Sequence, residues 1–320
     1  MSFEYKFNNK DDEICFAYHI PYTFSQCVNF LSTLKAPFVS HSKLCNTVSG
    51  LEVPLLTITS PCEGPKKTVI VASRVHPGET VSSYIMEGFL KYLISDEASV
   101  LRDKIVFKVI PMTNPDGVIL GNYRCSLSGH DLNRTYLTPN RRLHPTTVAI
   151  KKMVDDLTQG RSFNHQNHPV QAFIDIHGHS RKKSVFMYGP HFPLHSEKYL
   201  RVRVMAKLMD DVLPMFRFYS SKFKLEKSKM KTARIVMFKE FNIMNSFTVE
   251  SSMHGYIVDG ETRFDRSIET LTLDKLRQIG TGMGSSLSEY NTLISEDIEK
   301  SKDLLKKSRA RKRSAFDVLS

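Results

Sequence analysis

The chain has 320 residues, 41% of them hydrophobic and 24% charged, with 15 glycines and 14 prolines. This near-average globular composition excludes collagen, coiled coil and wholesale disorder. No uncharged run reaches the roughly 18 residues of a membrane span, and MSFEYKFNNKDDE at the N-terminus lacks the apolar core of an export signal.

Forty-five Lys and Arg stand against 33 Asp and Glu, a balance of +12. Residues 301–320 hold seven basic and two acidic side chains, +5, which leaves +7 for the first 300. A basic body fits an anionic partner, whether nucleic acid, an anionic surface or an acidic peptide, and charge does not choose among them. The five cysteines (Cys15, Cys27, Cys45, Cys62 and Cys125) are scattered, with no C-x-x-C. They read as reduced thiols of a cytosolic or nuclear protein, not as a zinc finger or a disulfide scaffold.

In chain order, SFEYKF alternates apolar and polar residues as a half-buried strand does. Pro21-Tyr22-Thr23 opens a helix running through Leu34. Four β-rich runs follow: VPLLTITS, KTVIVASRV, KIVFKVIPM and VQAFIDIHG. Between them a helix from Glu79 to about Ser95 sets Ile85, Phe89 and Leu93 on one side. Further helices begin near Pro145 and Ser196, SVFMYG and NSFTVESS read as strands, and Arg266 to Lys300 is expected to be mainly helical. Interleaved strands and helices predict an α/β fold, a mixed, mostly parallel sheet flanked by helices. There are no internal repeats. GTGMG (280–284) has no strand ahead of it and is assigned no phosphate-binding role. His165 and His168 fall in a polar loop.

The chemistry is concentrated where strands end, the usual position of sites in α/β sheets. KTVIVASRV runs into His76-Pro77-Gly78-Glu79, VQAFIDIHG runs through Asp175 into His177, and NSFTV runs into Glu250. Two His and one Glu make the ligand set of a catalytic zinc that keeps one position open for water. H-x-x-E also arises by chance, and a lone His177 also fits a capping or core role, so both readings stay open on spacing alone. Pro-Gly between His76 and Glu79 turns the chain, and glycine permits unusual backbone angles there. Arg124 and Arg134 lie in a Gly- and Asn-rich loop. Each reads either as a fork for a carboxylate or phosphate or as an ordinary surface arginine.

RVHPGE (74–79), IPMTNPDGVILGNYRCSLSGHDLNR (110–134), DIHGHSRKKSVFMYG (175–189) and FTVESS (247–252) together resemble the cytosolic carboxypeptidase family. This is a branch of the zinc metallocarboxypeptidases related to carboxypeptidase A, many of whose members trim glutamates from tubulin tails. The likeness runs from about Phe3 to about Asp259, with helical continuation to roughly residue 300. It implies an α/β/α sandwich of the zinc carboxypeptidase kind, with one zinc held by His76, Glu79 and His177. It further implies Glu250 as general base and acid, and Arg124 polarising the scissile carbonyl. Asn133 and Arg134 would clamp the substrate's terminal carboxylate, and Arg234 in KTARIV would select glutamate side chains. Ala233 stands where the family commonly has glycine.

Three segments are expected from the likeness. Residues 1–22 would be the end of an N-terminal β domain with its linker, SFEYKF being its final strand; 23–300 the catalytic domain; and 301–320 a basic tail. The implied partners are acidic C-terminal protein tails, tubulin among them, in the cytoplasm, with the nucleus or microtubules as further locations. No membrane partner is expected, and nucleic acid is disfavoured. Two other readings stay open: a zinc amidohydrolase acting on small N-acyl amino acids, and an inactive module that binds acidic tails. The RARKR cluster (309–313) reads as a solvated tail or as a nuclear-targeting or microtubule-attachment signal.

Overall fold

The computed structural model describes residues 2–61, 64, 66–159, 169–260 and 265–296. His165, His168 and the whole 301–320 tail lie outside the described residues. The first regular element is α1 (Phe24–Thr33), opened by a capping box in which Thr23 and Gln26 satisfy each other's backbone N–H. The chain continues through β1 (Val39–Asn46), β2 (Glu52–Ile58), β3 (Lys67–Ser73), α2 (Val81–Ile94), α3 (Ser99–Lys104), β4 (Ile105–Ile110), α4 (Pro115–Ile119), α5 (Pro145–Thr158) and β5 (Val170–His179). It then runs through β6 (Val185–Gly189), α6 (Glu197–Val212), β7 (Lys222–Phe223), α7 (Ala233–Phe241), β8 (Asn245–Ser252), β9 (Gly255–Asp259), β10 (Arg266–Thr270) and α8 (Leu273–Glu296).

Eight strands form one mixed sheet in the order β1-β2-β4-β3-β5-β8-β6-β7. Its centre, β4-β3-β5-β8, is parallel throughout. Strand alternation divides the core between the two faces. Val69, Val71, Ile174 and Ile176 face one cluster together with α2, α6 and α8 residues. Ile70, Ala72 and Phe173 face the other, packed on Ile150 and Val154 of α5 and Val236 and Met237 of α7. The expected α/β/α layering is present.

One expectation needs correction. SFEYKF forms no strand; residues 2–7 are exposed, without regular structure. Their alternation leaves rings that pack on each other and on Phe16. Alternation supplies a face for a strand, but strand formation needs a pairing neighbour, and none is present among the described residues. The region from about Arg266 is mainly helical among the described residues, as expected, through α8, but it opens with a strand, Arg266–Thr270, paired antiparallel with β9.

GTGMG belongs to α8 and works by close approach. A Cβ on Gly280 would sit 1.9 Å from the Ile85 carbonyl oxygen, one on Gly88 1.9 Å from that of Arg277, and one on Gly284 2.2 Å from the Tyr92 ring. Thus α2 and α8 meet backbone to backbone, with Arg277 Nε pairing Glu87 at 2.9 Å across the contact. Glycine inside a helix ordinarily costs about 0.5–1 kcal/mol relative to alanine, so Gly280→Ala would ordinarily stabilise. Here the sign should reverse. Forcing the helices apart is expected to cost about 1–3 kcal/mol or more, read as a lowered urea midpoint at unchanged slope. An unchanged or raised midpoint would show that the contact is not tight.

Candidate active site

The parallel strands β3, β5 and β8 deliver three polar ends to one place. His177 on β5 pairs directly with Glu250 on β8, so the two side chains stand next to each other on the same face. From β3 the chain leaves the sheet at Arg74, which takes the left-handed φ of 56°. Such backbone in a non-glycine residue costs about 1–3 kcal/mol and persists only where its surroundings enforce it. Within the turn that follows, Gly78 is needed for room rather than for an unusual angle. A Cβ there would lie 2.4 Å from the Tyr123 ring and 2.8 Å from the Tyr123 carbonyl oxygen, the atom that accepts from the Gly78 N–H.

His76, Glu79 and His177 converge, all buried, with one donor atom of each within 4.8 Å of the others. His76 Nδ1 lies 2.8 Å from Glu79 Oε1, and His177 Nδ1 lies 3.1 Å from Glu79 Oε2 and 3.2 Å from His76 Nδ1. Two nitrogens each about 2.0–2.1 Å from one tetrahedral zinc would stand about 3.3 Å apart. The donor set therefore fits zinc in both type and spacing.

Each imidazole is oriented from behind by a carboxylate: His76 Nε2 meets Asp131 Oδ1 at 3.0 Å, and His177 Nε2 meets Asp175 Oδ2 at 2.7 Å. That pairing keeps the proton on Nε2 and leaves the Nδ1 lone pair for metal. Residue spacing gave Asp131 no role and treated Asp175 only as a residue passed on the way to His177. The one local signal was the D-x-H of β5, where Asp175 and His177 share a strand face.

Asp131 serves several partners at once. Its Oδ1 also accepts from the Asn133 N–H at 2.9 Å, while Arg124 Nε and Nη2 reach Oδ2 at 2.8 and 2.7 Å. Burial opposes its ionisation, but His76 and Arg124 hold the carboxyl well below the usual range. For Glu79 burial likewise pushes upward, but His76 and His177 overcome it and hold the carboxyl well below its usual range. Burial would weaken His177 as a base, yet Asp175 and Glu79 keep its proton affinity well above that of ordinary imidazole. Glu250 is different. Burial dominates and pushes it up to about 7 against the partial opposition of the histidines.

His76, Glu79, His177 and Glu250 border a cleft of about 400 Å³ that also brings Arg124, Asn133, Arg134 and Arg234 together. Every site residue expected from the sequence thus lines one cavity. Asn133 is buried, its Oδ1 accepting from the Ala233 N–H at 2.9 Å. Arg134 is half-exposed and donates to the Asn133 carbonyl at 2.9 Å. Arg234, at the start of α7, is buried with Nη1 donating to the Gly189 carbonyl at 3.1 Å. Desolvation lowers its pKa to about 10 despite Glu226 and Glu250, so it remains cationic at neutral pH. Arg181, Lys222 and Lys224 line the cleft on its exposed side.

The sequence profile of the zinc carboxypeptidases matches residues 26–266. The chain belongs to the zinc carboxypeptidase family. It is 40% identical over 285 residues to cytosolic carboxypeptidase 1 of Danio rerio, covering 80% of this chain and 24% of that one. It is 40% identical over 294 residues to cytosolic carboxypeptidase 2 of Xenopus tropicalis, covering 88% and 29% respectively. These place it in the cytosolic carboxypeptidase branch, and the chain spans under a third of the length of either relative. The fold matches the crystal structure of a metallo-carboxypeptidase from Burkholderia cenocepacia with a TM-score of 0.70 at 23% identity, over 85% of this chain and 70% of that one. Zinc is the metal of the zinc carboxypeptidase family, and its candidate site here is His76, Glu79 and His177. Among the described residues no helix is long and apolar enough to cross a membrane.

Proposed function

We propose that this zinc carboxypeptidase-family chain removes C-terminal glutamates from acidic protein tails, such as those of tubulin, in the cytoplasm. The observation that carries the acidic preference is Arg234, a buried guanidinium in the same cleft as the metal donors and Arg134. Bound to His76, Glu79 and His177, zinc would supply Lewis acidity toward the scissile carbonyl and lower the pKa of a water. Glu250 takes the proton of the attacking water and delivers it to the leaving amine. Arg124, already oriented by Asp131, offers fixed positive charge where the carbonyl oxygen becomes negative. Arg134, steadied on the Asn133 carbonyl, pairs with the substrate's terminal carboxylate, which restricts cleavage to chain ends. Asn133 braces this arrangement through its bond to Ala233, the residue next to Arg234. The exposed basic residues at the cleft favour a long acidic chain over a small N-acyl amino acid.

Glutamate- and phenylalanine-ended peptides given to the zinc-loaded protein, with products weighed by mass spectrometry, test the reading. Removing one partner of a buried charge pair costs about 2–5 kcal/mol, and each ~1.4 kcal/mol is tenfold. Arg234→Ala should therefore lower kcat/KM for glutamate-ended peptides by about 30-fold or more, leaving phenylalanine-ended ones cleaved no worse. Equal loss on both would remove Arg234 as the selector.

A further inference from the structure

We infer that the segment 18–22 is a strap that fixes the metal-binding turn, with Arg74 and His19 as its positioning residues; the inference rests on the zinc-site reading above. Four ties run from this short segment to residues that flank or support the turn carrying two of the three metal donors. The Tyr22 carbonyl accepts from Arg74 Nη2 at 3.1 Å. His19 Nδ1 lies 2.6 Å from Thr80 Oγ1, and Thr80 directly follows Glu79. The Pro21 carbonyl accepts from Tyr84 Oη, in the first turn of α2, at 2.7 Å. The Tyr18 ring stands edge-on to Tyr123 at 5.8 Å, and the Tyr123 carbonyl takes the Gly78 N–H at 2.8 Å.

Arg74 gathers these ties at one group. Beyond Tyr22, its Nε donates to the Pro77 carbonyl at 2.8 Å and its Nη1 to Ser83 Oγ at 2.8 Å. Pro77 lies between His76 and Glu79. One planar fork thus joins the strap, the turn and the start of α2. Arg74 is buried, and among the described residues no carboxylate lies within ion-pair distance of it. Its hydrogen bonds orient carbonyls and a hydroxyl; they do not neutralise a charge. Arg74 combines this left-handed backbone with a side chain that folds back over the turn it begins. Metal affinity depends on how firmly donors are held before the ion arrives. The strap adds backbone firmness to the turn bearing His76 and Glu79, beside the support that Asp131 gives the His76 ring, while His177 is held by the sheet and by Asp175.

The test uses full-length variants and three readouts: zinc affinity by chelator competition, the absorption spectrum of the cobalt-substituted protein, and the thermal midpoint of the metal-free protein. His19→Ala is expected to weaken zinc binding by about tenfold, the lower end of the effect of outer-shell partners, and to alter the cobalt spectrum while leaving the metal-free midpoint unchanged. Arg74→Met should weaken it further. Arg74→Lys should fall between, because one ammonium cannot reproduce three fork contacts. Wild-type affinity and spectrum in folded His19→Ala and Arg74→Lys would overturn the inference, as would affinity falling only in step with the midpoint. If Arg74→Met does not fold, those two variants still decide. His177→Ala separates the failures: if it keeps its zinc, the site reading itself is wrong. If it loses zinc while the strap variants bind normally, only the strap is wrong.

Discussion

Glu250→Gln is expected to retain zinc and bind peptide while losing turnover by at least about 10²–10⁴-fold, the range typical of general acid–base catalysis. Glutamine keeps the shape of the side chain on β8 and its place beside His177, but it cannot accept the water's proton. The loss should fall on kcat, with KM nearly unchanged, since the carboxylate acts on the reacting atoms. A variant turning over at close to the normal rate would end the assignment. The metal-free protein offers an independent check. Burial raises the Glu250 carboxyl from 4.5 to about 7, so the folded state holds this proton more tightly than the unfolded one. Its contribution to stability is present in full below about 4.5 and is lost as the pH climbs through about 7. Metal-free Glu250→Gln should accordingly gain thermal midpoint over metal-free wild type, and gain more at pH 8 than at pH 5. Beside a bound divalent ion the ionised form is favoured, which readies Glu250 as a base near neutrality.

The second large effect is on the metal itself. His177→Ala should reduce zinc from one ion per chain to none that survives gel filtration, measured by elemental analysis on material shown to be folded by circular dichroism. Asp175→Asn tests the support behind it. That carboxylate lies 2.7 Å from His177 Nε2 and is itself buried; losing its charge should weaken zinc about 10–100-fold, as outer-shell partners do. The ordering matters. If Asp175→Asn weakened zinc as much as His177→Ala, Asp175 would have to be a ligand. If neither changed zinc content, the three-residue site would be wrong.

Much of this site was legible before any coordinates because apolar strands run straight into polar groups. KTVIVAS, VQAFID and NSFTV each read as buried strands that end in His76 and Glu79, His177 and Glu250, which left a shared site as one reading beside chance spacing until the family resemblance favoured it. Asp131 was hidden by its setting. In a loop of Gly, Ser and Asn, nothing local shows that one carboxylate will be shared by His76, Arg124 and the Asn133 N–H. The left-handed backbone of Arg74 was also invisible, since it is imposed by contacts distant in sequence. Helix α7, which bears Arg234, went unseen because ARIVMFKEF is apolar around much of its circumference and gives no clear helical stripe. Strand β1 was missed for the opposite reason: VSHSKLCN lies at the sheet edge with much of its length exposed, and its polar residues mask it. SFEYKF misled because period-two alternation records a possible partner face, and pairing depends on what stands opposite.

The glycine-lined meeting of α2 and α8 also sets an order of events during synthesis. Arg277 and Glu87, which clasp that contact, lie 190 positions apart. Loop closures of that length come late in folding, and a chain leaving the ribosome presents its N-terminal part first. The turn bearing His76 and Glu79 is therefore made early, but the helix rooted immediately after it lacks its packing partner until α8 emerges. Because His177 and then the α2–α8 contact must both arrive, tight zinc capture is expected late in synthesis: a nascent chain stalled before residue 280 should hold the ion more weakly than the released chain, although all three donors have already been synthesised.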